Sequence, residues 1–266
     1  LIRSAENPLN ACRFYWTHTG LTSHFDHSIV MRGVKDWVSP ESKFHAWFNP
    51  HAYYKHVREV QSDFHKKKFL VLIQRNARMH WMRRLYVYAM NFVKPMPNFV
   101  NREGYVSRLN AIQYFSKYPN FDLYGRGWDN PVRYTRKYDR AIQKSWRGAL
   151  DDKFATLQKY KFSLCLENSY LGGYLQYMND SLYAGSVPIY WGAPDITEMY
   201  PENCFIDFRK FGCDFARLDE YLHSMDESMY NEYIENINAF ISSPAAYELS
   251  QEKYVSDTIK LIESYF

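Results

Sequence analysis

Long apolar runs are missing from this chain. None reaches the roughly 18 residues that a membrane-spanning helix needs, so nothing in this stretch is expected to cross a bilayer. Cysteine is scarce as well. Cys12, Cys165, Cys204 and Cys213 show no CxxC and no Cys/His metal spacing, which argues against a zinc site and a disulfide framework, though one bridge stays an open alternative. Cys165 and Cys204 fall inside apolar runs and are expected to pack as small hydrophobes. Charge of one sign is also lacking: the net charge is +4, and the triplet Lys66-Lys67-Lys68 is too short for a nucleic-acid groove. That triplet reads as the solvated start of a strand. No repeat or low-complexity segment occurs. With 18% aromatic residues, the composition is that of a globular chain rather than a disordered one.

What is present is concentrated between Tyr160 and Asp207. An apolar run, Phe162 to Leu166, stops abruptly on Glu167-Asn168-Ser169. A loop with Gly172 and Gly173 leads to a helix-length segment, about Tyr174 to Tyr183, and then to a second run, Val187 to Trp191, closed by Gly192 and Pro194. A third run, Cys204 to Ile206, follows Pro201. Strand, polar loop, helix, strand predicts a βαβ unit of a parallel sheet. Polar residues just past the carboxyl ends of such strands form the ligand crevice, and Glu167, Asn168 and Ser169 stand there.

Before this stretch, residues 14–48 are aromatic and irregular, with short strand-like pieces such as Ser28 to Met31. Residues 51–65 read as a short helix. Phe69 to Ile73 reads as a strand buried on both faces, and Phe121 to Tyr124 as the next, ending on Gly125-Arg126-Gly127. Between them, 79–93 has helical spacing until Pro95 and Pro97 break it. Residues 150–159 read as a helix, and the tail as helices, the last over about 246–264 and packing back across the two halves. The expected division is 1–66 and 67–266.

The segments "YKF", "ENS", "GSVPIYWGAP" and "CFIDF" resemble the donor-binding half of the α1,3/4-fucosyltransferases. The resemblance implies an α/β, GT-B-like fold: a Rossmann-type parallel-sheet donor domain (67–266) and an abbreviated N-terminal acceptor-side domain (1–66). It implies an inverting, metal-independent transfer of L-fucose from GDP-fucose to a glycan hydroxyl. The nucleotide sugar is then a substrate, the saccharide acceptor is the other partner, and no cofactor is required. No Asp-x-Asp of the kind that holds Mn²⁺ occurs, and Asp151-Asp152 is placed in a helix. The cytoplasm is the expectation for the stretch as given, and the Golgi lumen if an anchor once preceded Leu1.

Residue by residue, the resemblance makes Arg102 a phosphate contact at a helix start, with Tyr105 completing the family's Arg-x-x-Tyr/Phe pattern. Asn168 and Tyr174 match nucleotide contacts. Glu167 is either a ligand contact or a carboxylate that caps the following loop. One stretch departs: where the family has Tyr, two residues and a Glu-Lys pair, this chain reads Tyr174-Leu175-Gln176-Tyr177-Met178, so the pair is missing and Gln176 and Tyr177 stand in that stretch without it. Gln176 can still hydrogen-bond the ribose, but no cation is supplied. Arg126 is the candidate replacement. For the general base, the position of the family's Glu falls near His18, with Asp26 and Glu6 as alternatives. Two other readings are a different nucleotide sugar on the same fold, and a degenerate protein that binds glycans without catalysis.

Overall fold

The computed structural model describes residues 2–4, 22–31, 38–47, 59–76, 85, 89, 104–129, 136–173 and 175–264. They form two parallel sheets. The first has the order β1-β2-β3, from β1 (Ile2–Ser4), β2 (His27–Met31) and β3 (Lys43–Trp47). The second has five strands: β4 (Lys68–Ile73), β5 (Phe121–Tyr124), β6 (Tyr160–Leu166), β7 (Val187–Trp191) and β8 (Ile206–Asp207). Their order is β5-β4-β6-β7-β8, and every pair is parallel. Leu70, Val71, Leu72, Leu166, Val187, Ile189 and Tyr190 are completely buried, as continuous apolar runs in a parallel sheet require when both faces are covered.

Helices supply that cover. The first described in full, α1 (Gly104–Phe115), buries Tyr105, Arg108, Leu109, Ile112 and Phe115, the three- and four-residue spacing of one face. Next come α2 (Arg136–Ser145), α3 (Lys153–Leu157), α4 (Met178–Tyr183), α5 (Phe215–Ser224) and α6 (Glu227–Ile241). The chain ends in α7 (Pro244–Glu248) and α8 (Gln251–Glu263). Asp219 of α5 ties that helix to the end of α1. Its carboxylate accepts from Tyr118 Oη at 2.6 Å, Lys117 Nζ at 3.0 Å and Tyr114 Oη at 3.1 Å.

Several details differ from the sequence-based expectation, and α4 begins only at Met178 rather than near Tyr174. Residues 59–65 contain no helix, while 51–58 lie outside the described residues. Instead this segment is held along α6, where Val60 N donates to Asn238 Oδ1 at 2.7 Å. The strand expected over Cys204 to Ile206 is only Ile206–Asp207, because Pro201 starts a tight 3₁₀ turn that takes up Cys204. Asp152 caps α3 from outside the helix, accepting from Ala155 N at 2.9 Å. The last helix is two, separated at Leu249-Ser250, where Ser250 caps α8 through Lys253 N. Cys165, Cys204 and Cys213 are free thiols, the first two buried as expected. No helix among the described residues is long and apolar enough to cross a membrane.

Candidate active site

The carboxyl ends of β6 and β7 meet the amino end of α1, and the polar loop after β6 lies between them. Gly104 donates its N–H to the Asn168 carbonyl at 3.1 Å, so the helix starts directly against this loop. A Cβ on Gly104 would stand 1.7 Å from the Glu167 carbonyl oxygen, which leaves room for glycine alone. Gly192 makes the equivalent approach from β7. A Cβ there would meet Glu167 Cγ at 2.3 Å and Tyr190 Oη at 2.6 Å. The two glycines thus close on one residue, Gly104 on its backbone and Gly192 on its buried side chain.

That side chain is Glu167, with no exposed surface. One carboxylate oxygen accepts from Gln176 N at 2.8 Å and Tyr177 N at 3.3 Å, holding the amides that lead into α4. The other oxygen has no hydrogen-bond partner among the described residues. Burial pushes the Glu167 pKa up to about 8, only partly opposed by the two amide donors and by the positive charges of Arg108 and Lys153. Of the two roles open to Glu167 on sequence, this geometry is that of the carboxylate that fixes the loop.

Asn168 is half-buried and accepts from Arg108 Nη2 at 2.6 Å, while its own amide donates to Gln176 Oε1 at 2.9 Å. Arg108 also donates to the Leu166 carbonyl, from Nη2 at 2.8 Å and Nε at 3.3 Å, and Gln74 Nε2 donates to the same oxygen at 2.7 Å. Its guanidinium lies over the rings of Tyr105 and Tyr177, at 5.1 and 5.6 Å. The facing loop after β7 is fastened too. Asp195 accepts from Gly173 N at 3.0 Å, and Arg209, paired with Asp207 at 2.8 Å, donates to the carbonyls of Ala193 and Pro194.

The structure therefore brings Glu167, Asn168 and Gln176 into one hydrogen-bonded group. Arg126 lies at the same end of the sheet, exposed in its turn after β5, and joins no part of that group. Gly125 explains the turn: φ is +132°, and a Cβ would meet the Gln74 carbonyl at 2.1 Å. Asp26 is exposed ahead of β2. His18, Glu6, Arg102 and Tyr174 lie outside the described residues. Arg108 is the residue that sequence reasoning passed over. The available signal was its spacing: with Tyr105, Leu109 and Ile112 it occupies the buried face of α1, where an arginine needs a reason. No group of three or more metal-ligating side chains occurs among the described residues.

A pair of loops at the carboxyl ends of adjacent parallel strands, fronted by a helix amino terminus, is the arrangement in which Rossmann-type folds hold phosphorylated ligands. The fold is GT-B-like α/β. S. aureus TarM, solved as a mutant in complex with Fondaparinux, alpha-GlcNAc-glycerol and UDP, shares it with a TM-score of 0.53 at 12% identity, over 94% of this chain and 46% of that one. In sequence, residues 93–257 match the family description "Glycosyltransferase family 10 (fucosyltransferase) C-term". The chain belongs to glycosyltransferase family 10. It is 28% identical over 153 residues to the alpha-(1,3)-fucosyltransferase FucT of Helicobacter pylori, covering 55% of this chain and 27% of that protein. To an alpha-(1,4)-fucosyltransferase of Arabidopsis thaliana it is 34% identical over 86 residues, 31% of this chain and 21% of the relative. The chain thus corresponds to only about a quarter of the length of the curated relatives it matches.

Proposed function

We propose that this chain carries the donor site of an inverting glycosyltransferase that moves L-fucose from GDP-fucose to a hydroxyl of a glycan acceptor. The observation that carries this reading is the donor-rich floor at the end of β6: Asn168, Gln176 and the buried cation Arg108, beside the amino end of α1. In an inverting transfer the acceptor hydroxyl attacks the sugar carbon from the face opposite the leaving diphosphate. A general base takes the hydroxyl proton, and the bond to the diphosphate breaks with its electron pair. The site's work is to hold negative charge as it grows on the leaving group, which fixed amides and a buried cation do well in a water-poor cleft. Arg102 and Tyr174 complete the nucleotide contacts in this reading, His18 is the base, and Arg126 is an outer cation. No metal is required by it.

The missing Glu-Lys pair in the stretch from Tyr174 to Met178 supports a second reading, the same fold serving another nucleotide sugar. A thermal-shift screen over GDP, UDP, CDP and dTDP separates the two. GDP is expected to raise the melting temperature most; a larger shift with another diphosphate would reassign the donor, and no shift with any would favour a glycan-binding protein without a donor.

A further inference from the structure

Arg108 is 2% exposed and forms no ion pair with any described carboxylate. Glu167, the nearest acid in sequence to its partners, spends its accepting oxygen on the amides of Gln176 and Tyr177 instead. A buried guanidinium held, among the described residues, by a carbonyl, an amide and two rings is costly unless its charge is used. Its hydrogen bonds show where the charge is directed. A guanidinium has no acceptor, so Asn168 must turn its oxygen towards Arg108, as it does at 2.6 Å. The Asn168 amide nitrogen then faces Gln176, which must answer with its own oxygen, at 2.9 Å. Gln176 is left with its Nε2, a donor that makes no hydrogen bond to any described residue and belongs to a half-exposed side chain. Its backbone is fixed as well, through Glu167. Each amide in the row is oriented by the one before, and a charged origin polarises the row.

We propose that Arg108 is a positioning residue that acts through Asn168 to commit Gln176 to present an N–H donor to a phosphate oxygen of a nucleoside diphosphate. This rests on the donor-site reading above and assigns to Gln176 an anion contact in the stretch that lacks the family's Glu-Lys pair. Were Gln176 reversed, its carbonyl oxygen would face the phosphate and repel it.

The experiment is calorimetric titration of the chain with GDP and, separately, with guanosine. Gln176→Glu presents only acceptors, and is expected to weaken GDP binding at least tenfold while guanosine binding changes less than twofold. Arg108→Met should weaken GDP selectively by a similar factor, and Arg108→Lys, still a pure donor, should recover part of it. Gln176→Lys, a donor that needs no orienting, should bind GDP tightly with either Arg or Met at position 108. Equal GDP affinity in wild type and Gln176→Glu overturns the proposal. So does parallel loss of GDP and guanosine in Arg108→Met, which would mark a purely structural role. If Arg108→Met does not fold, the two Gln176 variants decide. A wild type that binds neither GDP nor guanosine, yet binds another nucleoside diphosphate, overturns the guanine assignment and leaves the relay to be read with that diphosphate and its nucleoside.

Discussion

At the amino ends of the strands Asp122 is buried and answered on both oxygens. Arg147 Nε donates to one at 2.6 Å, and Tyr160 Oη and Lys68 Nζ donate to the other at 2.6 and 3.0 Å. At the carboxyl ends, Arg108 has no counter-ion and Glu167 has an oxygen with no partner among the described residues. One sheet therefore holds buried charge in two ways. A saturated network fixes structure and has nothing left to offer a ligand, whereas an incomplete one keeps donors and charge in reserve, as a binding site must. The chemistry of the titrating groups follows the same division. Burial alone would raise the Asp122 carboxyl, but the hydrogen bonds from Tyr160, Lys68 and Arg147 outweigh it and hold the pKa below the usual range. Glu167, with weaker compensation, stays raised.

The largest effect expected is at the saturated end. Asp122→Ala would strip the acceptor from a buried tyrosine hydroxyl and from two cations, and should destabilise the fold by about 2–3 kcal/mol, the usual cost of breaking hydrogen bonds to a buried charge. Urea denaturation reads the loss. GDP affinity, measured below the transition, should stay within twofold of wild type. A stability change under about 0.5 kcal/mol, or a parallel fall in GDP affinity, would erase the distinction between the two ends.

The strands were legible in the sequence, and the site only partly. Runs such as Leu70-Val71-Leu72 and Val187 to Trp191 are apolar at every position because helices cover both faces, so each strand shows itself without periodicity. The positions of Glu167 and Asn168 could be read from where the run Phe162 to Leu166 stops, and that of Gln176 from the family resemblance around Tyr174. Their partners could not. Arg108 and Asn168 are 60 residues apart. No local pattern reports which way an amide turns, since that depends on a charge brought from another helix. The shortening of β8 escaped for a similar reason, because a tight turn took residues whose composition alone suits a strand.

A smaller effect, opposite in sign between the two ends, is expected from pH. Asp122 and Asp219 are both held below the ordinary carboxylate range, so the stability they contribute is present above that range and lost as pH falls through it. Glu167 behaves in reverse. Its folded pKa of about 8 lies above the ordinary 4.5, so its contribution is complete below 4.5 and lost as pH rises towards 8. Glu167→Gln keeps an oxygen for the amides of Gln176 and Tyr177 but cannot titrate. Relative to this variant, wild type should lose about 1.4 kcal/mol between pH 5 and 8, the worth of one unit of displacement, since relaxation around a buried charge absorbs part of the rest. Parallel stability curves for the two proteins across that window would show that Glu167 does not titrate there.

The smallest effect is expected at Arg126, and it sets a buried cation against an exposed one at the same end of the sheet. Arg126 extends from a turn fixed by Gly125 and Gly127, on the edge strand β5, two strands from β6. Nothing described holds its guanidinium, so Arg126→Ala should leave stability within about 0.5 kcal/mol of wild type. Water and salt also surround it. An exposed charge acting on a diphosphate is worth at most about 1 kcal/mol and weakens once the Debye length shrinks to about 3 Å at molar salt. Arg126→Ala should therefore weaken GDP binding by no more than about fivefold at low salt, with the difference gone at about 1 M NaCl. The loss in Arg108→Met should persist there, because its charge acts through oriented amides shielded from the solvent. Should the salt dependence be the other way round, Arg126 would be the cation that meets the diphosphate, and the row from Arg108 to Gln176 would be scaffolding.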